Sequence, residues 1–346
     1  MLPIYYFIIL LVSLIILVKG SGIFVTAASK LSRLLGISEF IIGLTVVAIG
    51  TSLPELANSI TGALTKNTGL LIGNIIGANI LNMTLLIGVG SVILAIETKK
   101  EMFSKEGLFL FAVTILLLIT SLDKEITWTE GLIFLFLFLI YLYTLFKEKL
   151  KNKAYITRIV NFVFSPDLSN KSSKKFQNKN KIPKKLKTQP FKTFKLIKQL
   201  FLLIIGALLV FLGAKYTIFS ASSIATLYNI QQTIVGLTIL AIGTTAPELA
   251  VTISAARKHL PNLLVGNVIG SSITNILLIL GISSIITPLA ISNLTLYYTI
   301  PFMILSTILL LRFIRSYWLI RTFEAIILIF FYLVFLFGLI FFALFL

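Results

Sequence analysis

Glu55 and Glu248 each lie in the middle of a long apolar run, behind the same short phrase. Gly43 to Glu55 reads Gly-Leu-Thr-Val-Val-Ala-Ile-Gly-Thr-Ser-Leu-Pro-Glu, and Gly236 to Glu248 reads Gly-Leu-Thr-Ile-Leu-Ala-Ile-Gly-Thr-Thr-Ala-Pro-Glu. The offset is 193 positions, and 13 of 21 residues are identical between 43–63 and 236–256 without a gap. An unpaired charge at the centre of a membrane span costs at least about 2.5–3.5 kcal/mol. Carrying that cost twice, in matched copies, points to use rather than accident.

The neighbours of each glutamate offer oxygen and nothing else. Pro54 cannot donate to the carbonyl of Gly50, so the sequence predicts a broken or kinked helix with a freed carbonyl. Thr51 stands four residues before Glu55, on the same helix face, with Ser52 beside it. Thr244, Thr245, Pro247 and Glu248 repeat the arrangement. Carboxylates, hydroxyls and released carbonyls together suit a hard cation such as Ca²⁺, which takes six to eight oxygens.

A second duplicated phrase follows at the same offset. Gly73-Asn-Ile-Ile-Gly77 matches Gly266-Asn-Val-Ile-Gly270, and Asn82 matches Asn275. The glycines read as small-xxx-small helix-packing patterns. Asn82 and Asn275 read differently, because a buried amide in lipid needs a partner. Each could give a carbonyl oxygen to a cation or an amide to a glutamate.

Two carboxylates about 5 Å apart, at an effective dielectric near 20, repel by roughly 3 kcal/mol. A divalent ion removes that repulsion, and so do two or more sodium ions or a bound proton. Competition among such occupants for one negative site is the least that an ion exchange requires.

The elements that must position these residues are membrane helices. The chain has 346 residues, 58% of them hydrophobic, which leaves too little polar surface for a soluble domain of this size. Apolar runs such as 132–145 and 326–346 show no period-2 alternation, which excludes a barrel and leaves helices. The expected fold is an all-α integral membrane protein with ten spans, near 3–28, 38–64, 69–95, 106–121, 128–146, 198–225, 232–256, 262–288, 294–312 and 322–345. The first run is read as a retained span, since Met1-Leu-Pro lacks the basic start of a signal peptide.

Two halves, 1–146 and 198–346, flank a basic segment at 147–197. From 147 to 198 there are 16 Lys or Arg and two acids, within a net charge of +18. In a membrane protein such a loop faces the cytoplasm and its anionic lipids rather than a nucleic acid. The remaining loops follow the same bias, and both termini then face outward. Spans 2 and 7 are an odd number of crossings apart, so the halves form an inverted five-plus-five repeat, an architecture of secondary transporters with a midplane site.

Other chemistry is thin. The chain has no cysteine, which removes disulfides and thiol sites. His259, the only histidine, falls beside Arg257 and Lys258 at a span end. Of twelve acids, only Glu55 and Glu248 are deep in spans; Lys19 and Lys215 are the only basic residues within spans and could pair with them or snorkel. An intramembrane protease would need a deep Asp pair, a Ser–His pair or zinc ligands.

The duplicated Gly-Thr-Ser/Thr-x-Pro-Glu segments resemble the alpha-repeats of the cation/calcium antiporter superfamily, in particular its prokaryotic sodium/calcium exchanger branch. The resemblance implies cation ligation by Glu55, Glu248, the hydroxyls of Thr51, Ser52, Thr244 and Thr245, and the carbonyls of Ala48 and Ala241, with Asn82 and Ser271 at further site positions. It implies exchange of Ca²⁺ for Na⁺ as transported substrates, with no cofactor and no enzymatic activity. Asn275 stands where many such members have Asp, Ala78 where many have Ser, and Ser272 where Asn is common, so this site carries two formal negative charges. H⁺ in place of Na⁺ is the nearest alternative. A passive cation channel is the rival from another class, and it would need a through-going file of weak sites.

Overall fold

The computed structural model describes residues 2–34, 48–98, 102–150, 191–316 and 318–345. The first part of the second expected span and most of the basic segment lie outside the described residues. Among the described residues the regular structure is helical apart from four two-residue strands. Seven helices are long and apolar enough to cross a bilayer, and an eighth span follows if the pair Gln232–Thr244 and Ala246–Arg257, bent by 45°, is counted as one. Of the two remaining expected spans, 38–64 is described only from Ala48 onward. The other, 106–121, holds a shorter helix, Leu108–Thr120, entered through a π-helical segment at Met102–Gly107.

Glycines set how closely the helices cross. A Cβ on Gly73 would collide with the Thr233 carbonyl and lie 3.0 Å from the Gly236 Cα. One on Gly236 would stand 2.9 Å from the Asn74 nitrogen, and one on Gly77 2.8 Å from the Ala241 Cβ. The segment from Thr68 to Ile93 thus runs beside Gln232–Arg257 in the same direction, backbone against backbone. Helix Leu53–Leu64 turns back into Thr68–Leu81 through the 64–67 turn, where the Asn67 nitrogen bonds the Gly62 carbonyl at 2.8 Å. Helices 53–64 and 246–257 therefore point to opposite ends of the bundle.

Contacts between the halves come in exchanged pairs. Gly88 abuts Ala325 and Ile329, while Gly281 abuts Gly131 and Leu135. Gly20 abuts Leu209 and Val210, while Gly213 abuts Leu17. The last pair joins the two longest helices, Leu2–Leu34 and Phe191–Leu227, along much of their length. The short strands behave likewise: Ile96–Glu97 pairs antiparallel with Leu319–Ile320, and Glu125–Ile126 with Leu289–Ala290. The Thr98 and Ile291 nitrogens extend these pairings to the Trp318 and Lys124 carbonyls, each at 2.8 Å.

Candidate functional site

Each copy of the duplicated phrase breaks its helix one residue before the apolar residue and proline. Ala48–Thr51 stops, Ser52 takes φ −81 and ψ 11, and Leu53–Leu64 begins with Pro54 in its first turn. Ala241–Thr244 stops, Thr245 takes φ −79 and ψ 5, and Ala246–Arg257 begins with Pro247 in its first turn. Both breaks place a glutamate in the first turn of the new helix, at the end where backbone N–H groups favour negative charge.

Glu55 and Glu248 are both buried. Neither carboxylate oxygen of Glu55 has a hydrogen-bond partner, and neither does Oε2 of Glu248. The Ser52 hydroxyl donates to Glu248 Oε1 at 3.3 Å, joining the break of one copy to the acid of the other. The Thr244 side chain faces Glu55, the Thr51 side chain faces Glu248, and the two carboxylates lie close enough to repel. The structure brings the two acids and their hydroxyls together.

The other expected residues take distinct positions. Thr51 and Ser271 meet through their hydroxyls at 3.5 Å. Asn82 and Asn275 are buried, and each opens a π-helical turn, Asn82–Leu86 and Asn275–Leu280. Such turns are rare and often mark functional sites. Asn82 has no partner for either amide atom; Asn275 donates Nδ2 to Asn79 Oδ1 at 3.1 Å and leaves its own Oδ1 without one. The Ala241 carbonyl already accepts the Thr245 hydroxyl at 2.8 Å and the Thr245 nitrogen at 3.1 Å. The Gly50 carbonyl, freed by Pro54, accepts the Ser21 hydroxyl at 3.1 Å from the first long helix. Ala48 lies in the short helix before the break.

Three amides were passed over by the sequence reading. Thr244 donates to Asn74 Oδ1 at 3.0 Å, and Thr51 to Asn267 Oδ1 at 3.5 Å, two bonds that exchange halves at the 193-residue offset. Asn79 holds Asn275. For Asn74 and Asn267 the signal was present, since an asparagine follows the first glycine of both small-xxx-small phrases.

Lys215 is exposed and joins Thr61, Asn67, Ser222 and Thr226 in lining an open cleft of about 600 Å³ at the 64–67 turn. None of the eleven expected site residues lines that cleft. Among the described residues no group of three or more His, Cys, Asp or Glu could hold a metal. A cation here would be held by two carboxylates completed by neutral oxygens.

Two buried carboxylates set among hydroxyls and amides, at the breaks of apolar helices, belong to an integral membrane protein with a polar site inside its helical bundle. The family model described as "Sodium/calcium exchanger protein" matches residues 5–147 and 198–341, and the chain belongs to that family of transporters. The chain is 37% identical over 339 residues to sodium/calcium exchanger MaX1 of Methanosarcina acetivorans, covering 95% of this chain and 97% of that one. It is 29% identical over 279 residues to inner membrane protein YrbG of Escherichia coli, covering 81% and 79%. Among solved structures, the sodium–calcium exchanger NCX_Mj soaked with 2.5 mM Na⁺ and 1 mM Sr²⁺ matches with a TM-score of 0.62 and 29% identity, over 96% of this chain and 97% of that one. With zero Na⁺ and Ca²⁺ the same exchanger matches with a TM-score of 0.58.

Proposed function

We propose that this chain is a secondary active antiporter that moves Ca²⁺ against Na⁺ through one site shared by its two halves. The observation that carries the reading is Glu55, a fully buried carboxylate with no hydrogen-bond partner, facing a second buried carboxylate across hydroxyls and amides. A pair of charges left so in a bilayer needs a cation to offset the desolvation. Ca²⁺ neutralises both at once, and Na⁺ displaces it by doing the same in greater number.

In this reading Glu55, Glu248, Thr51, Ser52, Thr244 and Thr245 bind the ion. Asn82, Asn275 and Ser271 complete the cage, with the Ala48 and Ala241 carbonyls at its ends. Asn74, Asn267 and Asn79 orient the hydroxyls and amides. The exchanged glycine contacts and the paired Thr–Asn bonds support an inverted repeat of halves 1–146 and 198–346, five spans in each. Both termini then lie outside and the 147–197 segment is cytoplasmic, near anionic lipid. The halves rock about the fixed site, and helices 2–34 and 191–227 slide to exchange access.

The direct test is ⁴⁵Ca²⁺ uptake into proteoliposomes loaded with Na⁺, with acid, or with choline. Uptake is expected only with Na⁺ inside. Equal uptake in choline would make the protein a passive channel, and uptake with acid alone would make the counter-ion H⁺. Asn275→Asp adds a third carboxylate where an unpartnered amide oxygen now lies. It is expected to shift the half-saturating Na⁺ concentration several-fold, about 1 kcal/mol per tightened ligand, without lowering the yield of folded protein. An unchanged Na⁺ dependence would leave Asn275 a support for Asn79 only.

A further inference from the structure

A serine or threonine buried in an apolar helix normally bonds the carbonyl one turn back. Thr114 does so to Leu110, Thr274 to Gly270 and Thr307 to Met303. Ser59, Ser91, Thr252, Ser272 and Ser283 do not: all are buried at 0% exposure, and none of their hydroxyls has a partner. Asn58, also at 0%, has a partner for neither amide atom. Polar groups left so in an apolar interior are destabilising unless something binds them.

Ser272 adjoins Ser271 of the cage, and the other exceptions fall into two lines. Ser59 follows Glu55 by four residues and Thr252 follows Glu248 by four, so each hydroxyl lies on its glutamate's helix face, one turn farther from the cage. A Cβ on Gly90 would stand 3.1 Å from the Thr252 Cγ2, which sets helix 246–257 against helix 87–93 next to Ser91. Helix 53–64 packs against helix 281–286, which carries Ser283. Helices 53–64 and 246–257 point to opposite ends of the bundle, so one line leads toward Lys66 and the other toward Arg257.

We propose that Thr252 with Ser91, and Ser59 with Asn58 and Ser283, form two cation-coordinating way stations outside the cage, each serving exchange with one membrane face. The inference rests on the antiport reading above. Each station holds neutral oxygens only, so it binds Na⁺ or Ca²⁺ weakly and in passage. A hard cation that gives up its waters must meet replacement oxygens on the way to the carboxylates. The stations are unequal: Val251 stands at the offset of Asn58, so the line toward Lys66 has an amide that the other lacks.

The test is counter-ion-driven ⁴⁵Ca²⁺ flux in proteoliposomes of defined orientation, measured from each face, with the near-isosteric Thr252→Val and with Ser59→Ala. Thr252→Val is expected to raise the half-saturating Ca²⁺ concentration at the Arg257 face by roughly fivefold, as for one lost oxygen ligand, and to leave the Lys66 face unchanged. Ser59→Ala is expected to do the reverse. Equilibrium ⁴⁵Ca²⁺ binding to purified protein in detergent is expected to match the unsubstituted chain for both variants. Equal change at both faces, no change at either, or lost equilibrium binding overturns the way stations while leaving antiport intact. Absence of Na⁺-driven exchange in the unsubstituted protein overturns antiport itself, and the way stations with it.

Discussion

Glu55→Gln and Glu248→Gln are each expected to abolish Na⁺-driven ⁴⁵Ca²⁺ exchange while the protein still folds. Removing one charge from a buried, ion-compensated group costs about 3 kcal/mol or more, which is at least roughly a hundredfold in cation affinity. Glutamine keeps the volume, so packing is not the variable. Folding should survive, because neither oxygen of Glu55 accepts a hydrogen bond that the fold uses. Thermal unfolding in detergent sharpens the test. In chelator, Glu55→Gln is expected to be at least as stable as the unsubstituted chain, because an uncompensated buried charge has been removed. Added Ca²⁺ should stabilise the unsubstituted chain and not the variant. Glu248→Gln should gain less in chelator, since Glu248 Oε1 accepts the Ser52 hydroxyl. A variant that exchanges normally would remove the glutamates from the site.

The second large effect concerns one methyl group. Gly73→Ala would drive a Cβ into the Thr233 carbonyl, with the Leu237 nitrogen at 2.9 Å and the Gly236 Cα at 3.0 Å. These are backbone atoms of an opposing helix and cannot swing aside, so the two crossing helices must separate. Overpacking of this kind costs about 1–3 kcal/mol, and more where no side chain can yield. The damage extends to the site, because Asn74 is the next residue and accepts the Thr244 hydroxyl. Loss of exchange and a lowered unfolding temperature are expected together. Gly22→Ala is the matched control: nothing lies within 4 Å of its added Cβ, so both measurements should be unchanged. If Gly73→Ala behaved like Gly22→Ala, the close crossing would be wrong.

The paired acids and their helix breaks were legible where the chain repeats itself. Glu55 and Glu248 stood out because two closely matched phrases surrounded them, and Pro54 and Pro247 foretold the breaks that place them in a first helical turn. Asn74 and Asn267 lie in the same repeated text, but the glycines beside them account for the pattern without calling on the amides. Ser21 could not have been found: its bond to Gly50 joins residues 29 apart on different helices, and nothing local marks it. The way stations were likewise hidden. A serine that bonds its own helix and one that does not are spelled the same, and only the packed neighbours distinguish Ser91 from Ser121, which bonds the Leu117 carbonyl.

The π-helical turns were also beyond reach. Asn82 was expected to need a partner, but the sequence held no sign that the helix would widen there. Apolar length predicted the span at 128–146 well, where a helix runs from Trp128 to Leu150. It also placed the helix Leu108–Thr120 within the expected 106–121, but gave no sign of the π-helical entry at Met102–Gly107.

The four short strands carry a lesson about assembly. Ile96–Glu97 and Glu125–Ile126 belong to the first half of the chain, yet both find their partners, Leu319–Ile320 and Leu289–Ala290, only in the second. A ribosome releasing this protein from its amino end therefore produces loops whose backbone edges stay open for well over a hundred further residues. The early half must wait, unfinished, for the late one.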